Sequence, residues 1–118
     1  MTRTKMKDLK FLTKFSEKGS KFLDVKYPVL CGAMSWISES NLVAAVSNSG
    51  GFGIIAAANM PAKALADQID KTFEKTKSAF GVNIITVTPF FDEQIDVVIE
   101  KKNKAYIFRR GDTKRKKY

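Results

Sequence analysis

The chain has 118 residues and a net charge of +9, with 44% apolar residues, nine phenylalanines, a single cysteine and no histidine. With Cys31 alone and no histidine, an internal disulfide and a His/Cys metal site are excluded, and the commonest general base is missing. No apolar run approaches the roughly 20 residues of a bilayer span, and the basic start "MTRTKMKDLKFLTKFSEKGSK" lacks the apolar core of a secretory signal, so the expected setting is reduced, cytoplasmic and free of membrane.

The basicity is confined to the ends. Residues 1–26 carry net +5, residues 27–100 net −4 and residues 101–118 net +8. The charge therefore describes the termini rather than the fold. Basic ends that bind nucleic acid or an acidic surface, on a chain that is no enzyme, are one alternative reading. Tyr106 and Phe108 alone do not make the interleaved aromatic platform that such binding uses, so nucleic acid is not the expected partner.

In chain order, residues 1–23 form a basic extension in which Leu9, Phe11, Leu12 and Phe15 outline a short amphipathic helix, either packed over the base of the domain or solvated as an arm. Val25 to Leu30 reads as a strand, with Pro28 suited to an edge. The cap formers Ser38-Glu39-Ser40-Asn41 precede Leu42, Val43 and Val46 at helical spacing, and this helix stops at Gly50-Gly51. Phe52 to Ala57 is a second strand. Pro61 opens a helix with Leu65, Ile69 and Phe73 inward. Phe80 to Val87 is a third strand, and Pro89 opens a helix with Phe91, Ile95, Val98 and Ile99 inward and Asp92 and Glu93 in its first turn. Ala105 to Phe108 has the composition of a further strand.

Consecutive strand–helix units with apolar strands predict parallel strands covered by helices. The choices are a doubly wound sheet or part of a (β/α)8 barrel, and a complete barrel needs roughly 250 residues. In both, ligands sit beyond the C-terminal strand ends. Those ends carry Gly32-Ala33-Met34, then Ala56-Ala57-Ala58-Asn59, then Asn83 with Thr86 and Thr88. This rim has small, amide and hydroxyl residues and no acid. It suits a planar hydrogen-bonding ligand lying on the main chain; equally, Gly and Ala there permit tight strand–helix packing. Gly50-Gly51-x-Gly53 lies between a helix and the next strand, the wrong order for a dinucleotide loop, and reads as a helix stop with tight entry into the strand.

The stretches "KYPVLCGAMSWISESNLVAAVSNSGGFGIIAAANMPAKALADQI" and "FGVNIITVTPFFDEQIDVVIE" resemble the start of the nitronate monooxygenase family, formerly 2-nitropropane dioxygenase, which includes the FMN-dependent enoyl-acyl-carrier-protein reductases. The resemblance covers about Asp24 to Glu100 and is closest to the reductase branch in "MSWI" and "TPFFDE". It implies a partial TIM (β/α)8 barrel, here its first three to four units over residues 24–104, with FMN at the C-terminal strand ends. By that resemblance the main chain at Gly32, Ala33 and Met34 lies against the flavin, and Asn83 offers it an amide that both donates and accepts. Cys31 replaces the family's usual Gln and is expected to be a small packing residue. Trp36 is expected on the loop, with a weak claim to the substrate channel.

The reaction implied is hydride transfer from NAD(P)H through FMN to an enoyl thioester, or flavin oxidation of a nitronate, in enzymes that form homo-oligomers. The family's later Gly-rich phosphate loops and its catalytic His have no counterpart in these residues, so no catalytic residue is assigned. After Glu100 the sequence departs from the family. Residues 105–118 form a basic tail in which Arg109 and Arg110 stand where small residues belong. The expectation is an N-terminal fragment, inactive alone. A barrel of the inosine monophosphate dehydrogenase type, which shares a Gly-x-Met strand end, is the third reading and fits worse, because its Cys loop is not visible.

Overall fold

A computed structural model describes residues 3–101 and 105–110, with side chains over residues 10–101. Helix α1 (Arg3–Leu23) leads into β1 (Leu30–Cys31), α2 (Ser40–Asn48), β2 (Phe52–Ala56), α3 (Ala62–Lys75), β3 (Phe80–Ile85), α4 (Phe91–Glu100) and β4 (Ala105–Arg110). The four strands form one sheet in chain order, every neighbouring pair parallel. Sequential β/α units joined in this way are the opening of a (β/α)8 barrel rather than a doubly wound sheet, whose strand order reverses at a switch point.

Alternation along the strands gives the sheet two distinct faces. Toward the helices, Ile55, Phe80, Val82 and Ile84 pack with Val43, Leu65, Ile69 and Val98, all buried. The opposite face, which would line a barrel's interior, carries Phe52 and Ile54, clustered with Leu23 and Ala79 and flanked by Val25 and Ala33. Leu23, the last residue of α1, thus sits beside the residues that begin β2 and β3. The rest of α1 approaches the body at Gly19, where an added Cβ would meet Pro28 at 2.8 Å. The outer side of α1 exposes Phe11, Phe15 and Phe22.

Three details depart from the sequence reading. The strand expected over residues 25–30 is only a two-residue ladder, Leu30–Cys31. Asp24 takes a left-handed φ of 54° to leave α1, Val25 N–H turns back to Ser20 O, and Tyr27 N–H donates to Gly50 O. Pro28 has no N–H to offer a ladder, so pairing begins beyond it. In α4, Ile99 is 55% exposed instead of inward, and Gln94 takes the buried position. The segment Ala105–Arg110, grouped above with the tail on charge, pairs with β3 from Phe80↔Ala105 to Ile85↔Arg110. Residues 111–118 lie outside the described residues.

The reading of Gly50-Gly51-x-Gly53 as packing agrees with the geometry. Gly50 has φ +90°, a Cβ on Gly51 would lie 3.1 Å from Val29 O, and one on Gly53 would lie 2.5 Å from Val43 O. The glycines let α2 lie directly on the sheet.

Candidate functional site

The C-terminal strand ends bring three segments together. The first is the β1–α2 loop with Gly32, Ala33 and Met34. Gly32 is exposed, and an added Cβ there would meet nothing within 4 Å, so the main chain borders open space. Ala33 is half-buried against the Phe52–Ile54 cluster, which folds the loop over the interior face of the sheet. Met34 is exposed.

The second segment is the end of β2 and the β2–α3 loop, and the third is β3 with Asn83. Register pairs Asn83 with Ala56 and Gly81 with Ile54, so Asn83 shares the interior face with Ile54 and Ala56, near the C-terminal end of β3. Asn83 is half-buried, and its main-chain carbonyl accepts the Ala57 N–H at 3.1 Å.

Ser38 joins the first segment to the other two. It is fully buried. Its Oγ donates to Gly32 O and accepts the Met34 N–H, each at 3.0 Å. Its N–H donates to Met34 O at 2.8 Å, and its carbonyl accepts the Ala56 N–H at 3.1 Å. A continuous chain of hydrogen bonds therefore runs from residues 32–34 through Ser38 to Ala56, the register partner of Asn83. Between Met34 and Ser38, Trp36 adopts a left-handed φ of 63°, a conformation that costs a side-chain-bearing residue roughly 1–2 kcal/mol. Trp36 is exposed rather than packed on the loop.

Gln94 supports the rim from below. From α4, its Nε2 donates to Ala57 O at 2.6 Å and to Met60 O at 2.7 Å, across the β2–α3 loop. Its Oε1 is buried with no hydrogen-bond partner among the described residues. Two carbonyls facing one amide fix its orientation, since a flipped amide would set oxygen against oxygen. Gln94→Leu leaves Met60 O without the Gln94 donor, while Ala57 O keeps the Met60 N–H at 2.8 Å, and should lower stability by about 2 kcal/mol; the midpoint of urea unfolding reads this, and an unmoved midpoint contradicts it.

Neither Ser38 nor Gln94 stood out in the sequence. Ser38 was one of four cap formers in a row. Gln94 did carry a signal, a polar residue at i+3 from Phe91 and i−4 from Val98 on the apolar face of α4.

Among the described residues, a hydrogen bond from Lys21 lowers the Glu17 pKa and one to Asp67 raises that of Lys71. These are exposed i,i+4 pairs on α1 and α3, remote in sequence from the strand ends. Among the described residues no group of three or more Cys, Asp or Glu is placed to hold a metal, and no helix is long and apolar enough to cross a membrane. A small-residue rim with an open glycine and a half-buried amide offers a flat, hydrogen-bonding surface rather than a set of metal ligands.

Comparison with known proteins bears on the family and the fold. The family model for nitronate monooxygenase matches residues 16–117. A Rhodococcus jostii protein named as a hydroxy-methyl-oxo-octahydro-indene-carboxyl-CoA dehydrogenase is 34% identical over 75% of this chain and 25% of its own length. A probable nitronate monooxygenase of Staphylococcus aureus is 38% identical over 55% of the chain and 18% of its own length. The chain thus spans a quarter or less of these relatives. Among solved structures, FabK from Thermotoga maritima superimposes with a TM-score of 0.74 at 37% identity, covering 78% of this chain and 29% of FabK. Nitroalkane oxidase from Streptomyces ansochromogenes, at 20% identity and a TM-score of 0.65 over 71% of the chain and 33% of its own, shares the fold. The sheet is accordingly part of a TIM barrel, and the chain belongs to the nitronate monooxygenase family of oxidoreductases.

Proposed function

We propose that this chain supplies the ring-facing wall of an FMN site in an oxidoreductase of the nitronate monooxygenase or enoyl-acyl-carrier-protein reductase type, with NAD(P)H as reductant and a nitronate or acyl thioester as substrate. The observation that carries the reading is the open main chain at Gly32, joined by hydrogen bonds to the strand end opposite Asn83. Bound FMN would supply the hydride chemistry; Gly32, Ala33 and Met34 would give it a flat seat, and Asn83 an amide partner. With one wall of the site, the chain alone holds flavin weakly and shows no turnover.

Titration of the full 118-residue chain with FMN and with lumiflavin, followed by amide resonances, tests this. Both ligands should shift Gly32, Ala33, Met34 and Asn83 to similar extents, since these residues address the ring and not the phosphate. NADH oxidation in the mixture should not exceed that of free FMN. Absence of shifts at millimolar flavin overturns the binding role, and tight stoichiometric binding with turnover overturns the partial-site reading.

A further inference from the structure

We infer that the Ser38 hydroxyl is the positioning group of this site: it locks the Gly32–Met34 loop so that the Ala33 main chain faces the ligand. The inference rests on the flavin reading just proposed and adds a residue to it.

A serine just ahead of a helix ordinarily caps it, its hydroxyl accepting a first-turn N–H. Here the residue flanking α2 is Glu39, without a side-chain cap bond, and Ser38 turns its hydroxyl the other way, into the loop. Every polar group of Ser38 is used there: N–H to Met34 O, carbonyl to Ala56 N–H, and Oγ as both donor and acceptor. These bonds commit Gly32 O, Met34 N–H and Met34 O to the protein. The Ala33 N–H and C=O, between them, take no part in the loop and turn hydrogen bonds among the described residues. One donor and one acceptor on the same residue suit the edge of a ring that itself alternates N–H, C=O and ring nitrogen. Removing the hydroxyl would release Gly32 O and Met34 N–H to compete for that edge, and would free the loop to rotate about Gly32.

The control is Ser47. It is also buried, and its Oγ accepts the Gly53 N–H at 3.3 Å, but at the N-terminal half of β2, away from the rim. Ser38→Ala and Ser47→Ala in the full chain remove comparable buried hydroxyls.

Ser38→Ala should speed amide exchange at Met34 tenfold or more and weaken FMN binding at least fivefold, with loss of the flavin-induced shift at Ala33. Ser47→Ala should change neither. Unaltered Met34 exchange in Ser38→Ala overturns the lock. Faster exchange with unchanged FMN affinity overturns its role in positioning. The parent chain gives a second measurement that stands if the variant does not fold: Met34 should be protected without flavin, while Ala33 exchanges freely and becomes protected when FMN is added. The reverse pattern overturns the inference. A parent chain with protected Met34 and no flavin response overturns the FMN reading itself, a result distinct from any variant effect.

Discussion

Gly53→Ala should unfold this protein at a markedly lower temperature than the parent. A Cβ at Gly53 would lie 2.5 Å from Val43 O, 2.8 Å from Val43 Cα and 3.0 Å from Val43 C. All three are backbone atoms in α2, so no side-chain rotation relieves the overlap; the helix itself has to lift off the sheet. Val43 belongs to the main buried cluster with Ile55, Leu65 and Val82, and lifting α2 opens that cluster. Overpacking of this kind costs about 3 kcal/mol, which for a domain of this size corresponds to a fall in melting temperature of roughly 10 °C or more. Thermal unfolding followed by circular dichroism measures it. A melting temperature within a degree or two of the parent would show that α2 does not rest on Gly53.

Gly32→Phe is expected to do the opposite. Nothing lies within 4 Å of a Cβ at this position, so the unliganded protein should keep its melting temperature, as exposed substitutions generally stay within about 0.5 kcal/mol. The ring would, however, occupy the space assigned to the flavin. Binding should weaken at least tenfold, ~1.4 kcal/mol, with the FMN-dependent shifts at Met34 and Asn83 abolished. FMN binding equal to that of the parent would remove Gly32 from the site. The two glycines separate the roles that small residues play in this fold: Gly53 is small because protein lies against it, and Gly32 because protein does not.

That distinction also marks how far the sequence could be read. Apolar runs interrupted by helical periodicity gave β2, β3 and their helices, because burial on both faces of a parallel sheet leaves an uninterrupted apolar signature such as Phe52–Ala56. β1 was overextended, because Val25 and Tyr27 are apolar in composition but spend their N–H groups on Ser20 and Gly50 rather than on a neighbouring strand. Such partners are distant choices that no local pattern reveals. At the proposed site, Gly32, Ala33, Met34 and Asn83 drew attention only because small residues at strand ends are unusual and because the motif resembled a known family. Ser38 was not, since a hydroxyl reads the same whether it caps a helix or ties down a loop. Ile99 was placed inward by periodicity alone, whereas the turn of α4 that faces the core is set by Gln94 reaching the β2–α3 loop.

The brevity of β1 carries a consequence for how the molecule behaves among its own copies. Val29 and Leu30 are exposed beside it, the kind of margin on which a second chain adds its own strand and starts an aggregate. Yet the ladder comprises only Leu30 and Cys31, two residues past the imide nitrogen of Pro28, so an incoming strand finds too few consecutive amides to copy. Association at this margin, where it happens, is left to greasy side chains, and it will respond to detergent more readily than to agents that compete for backbone pairing.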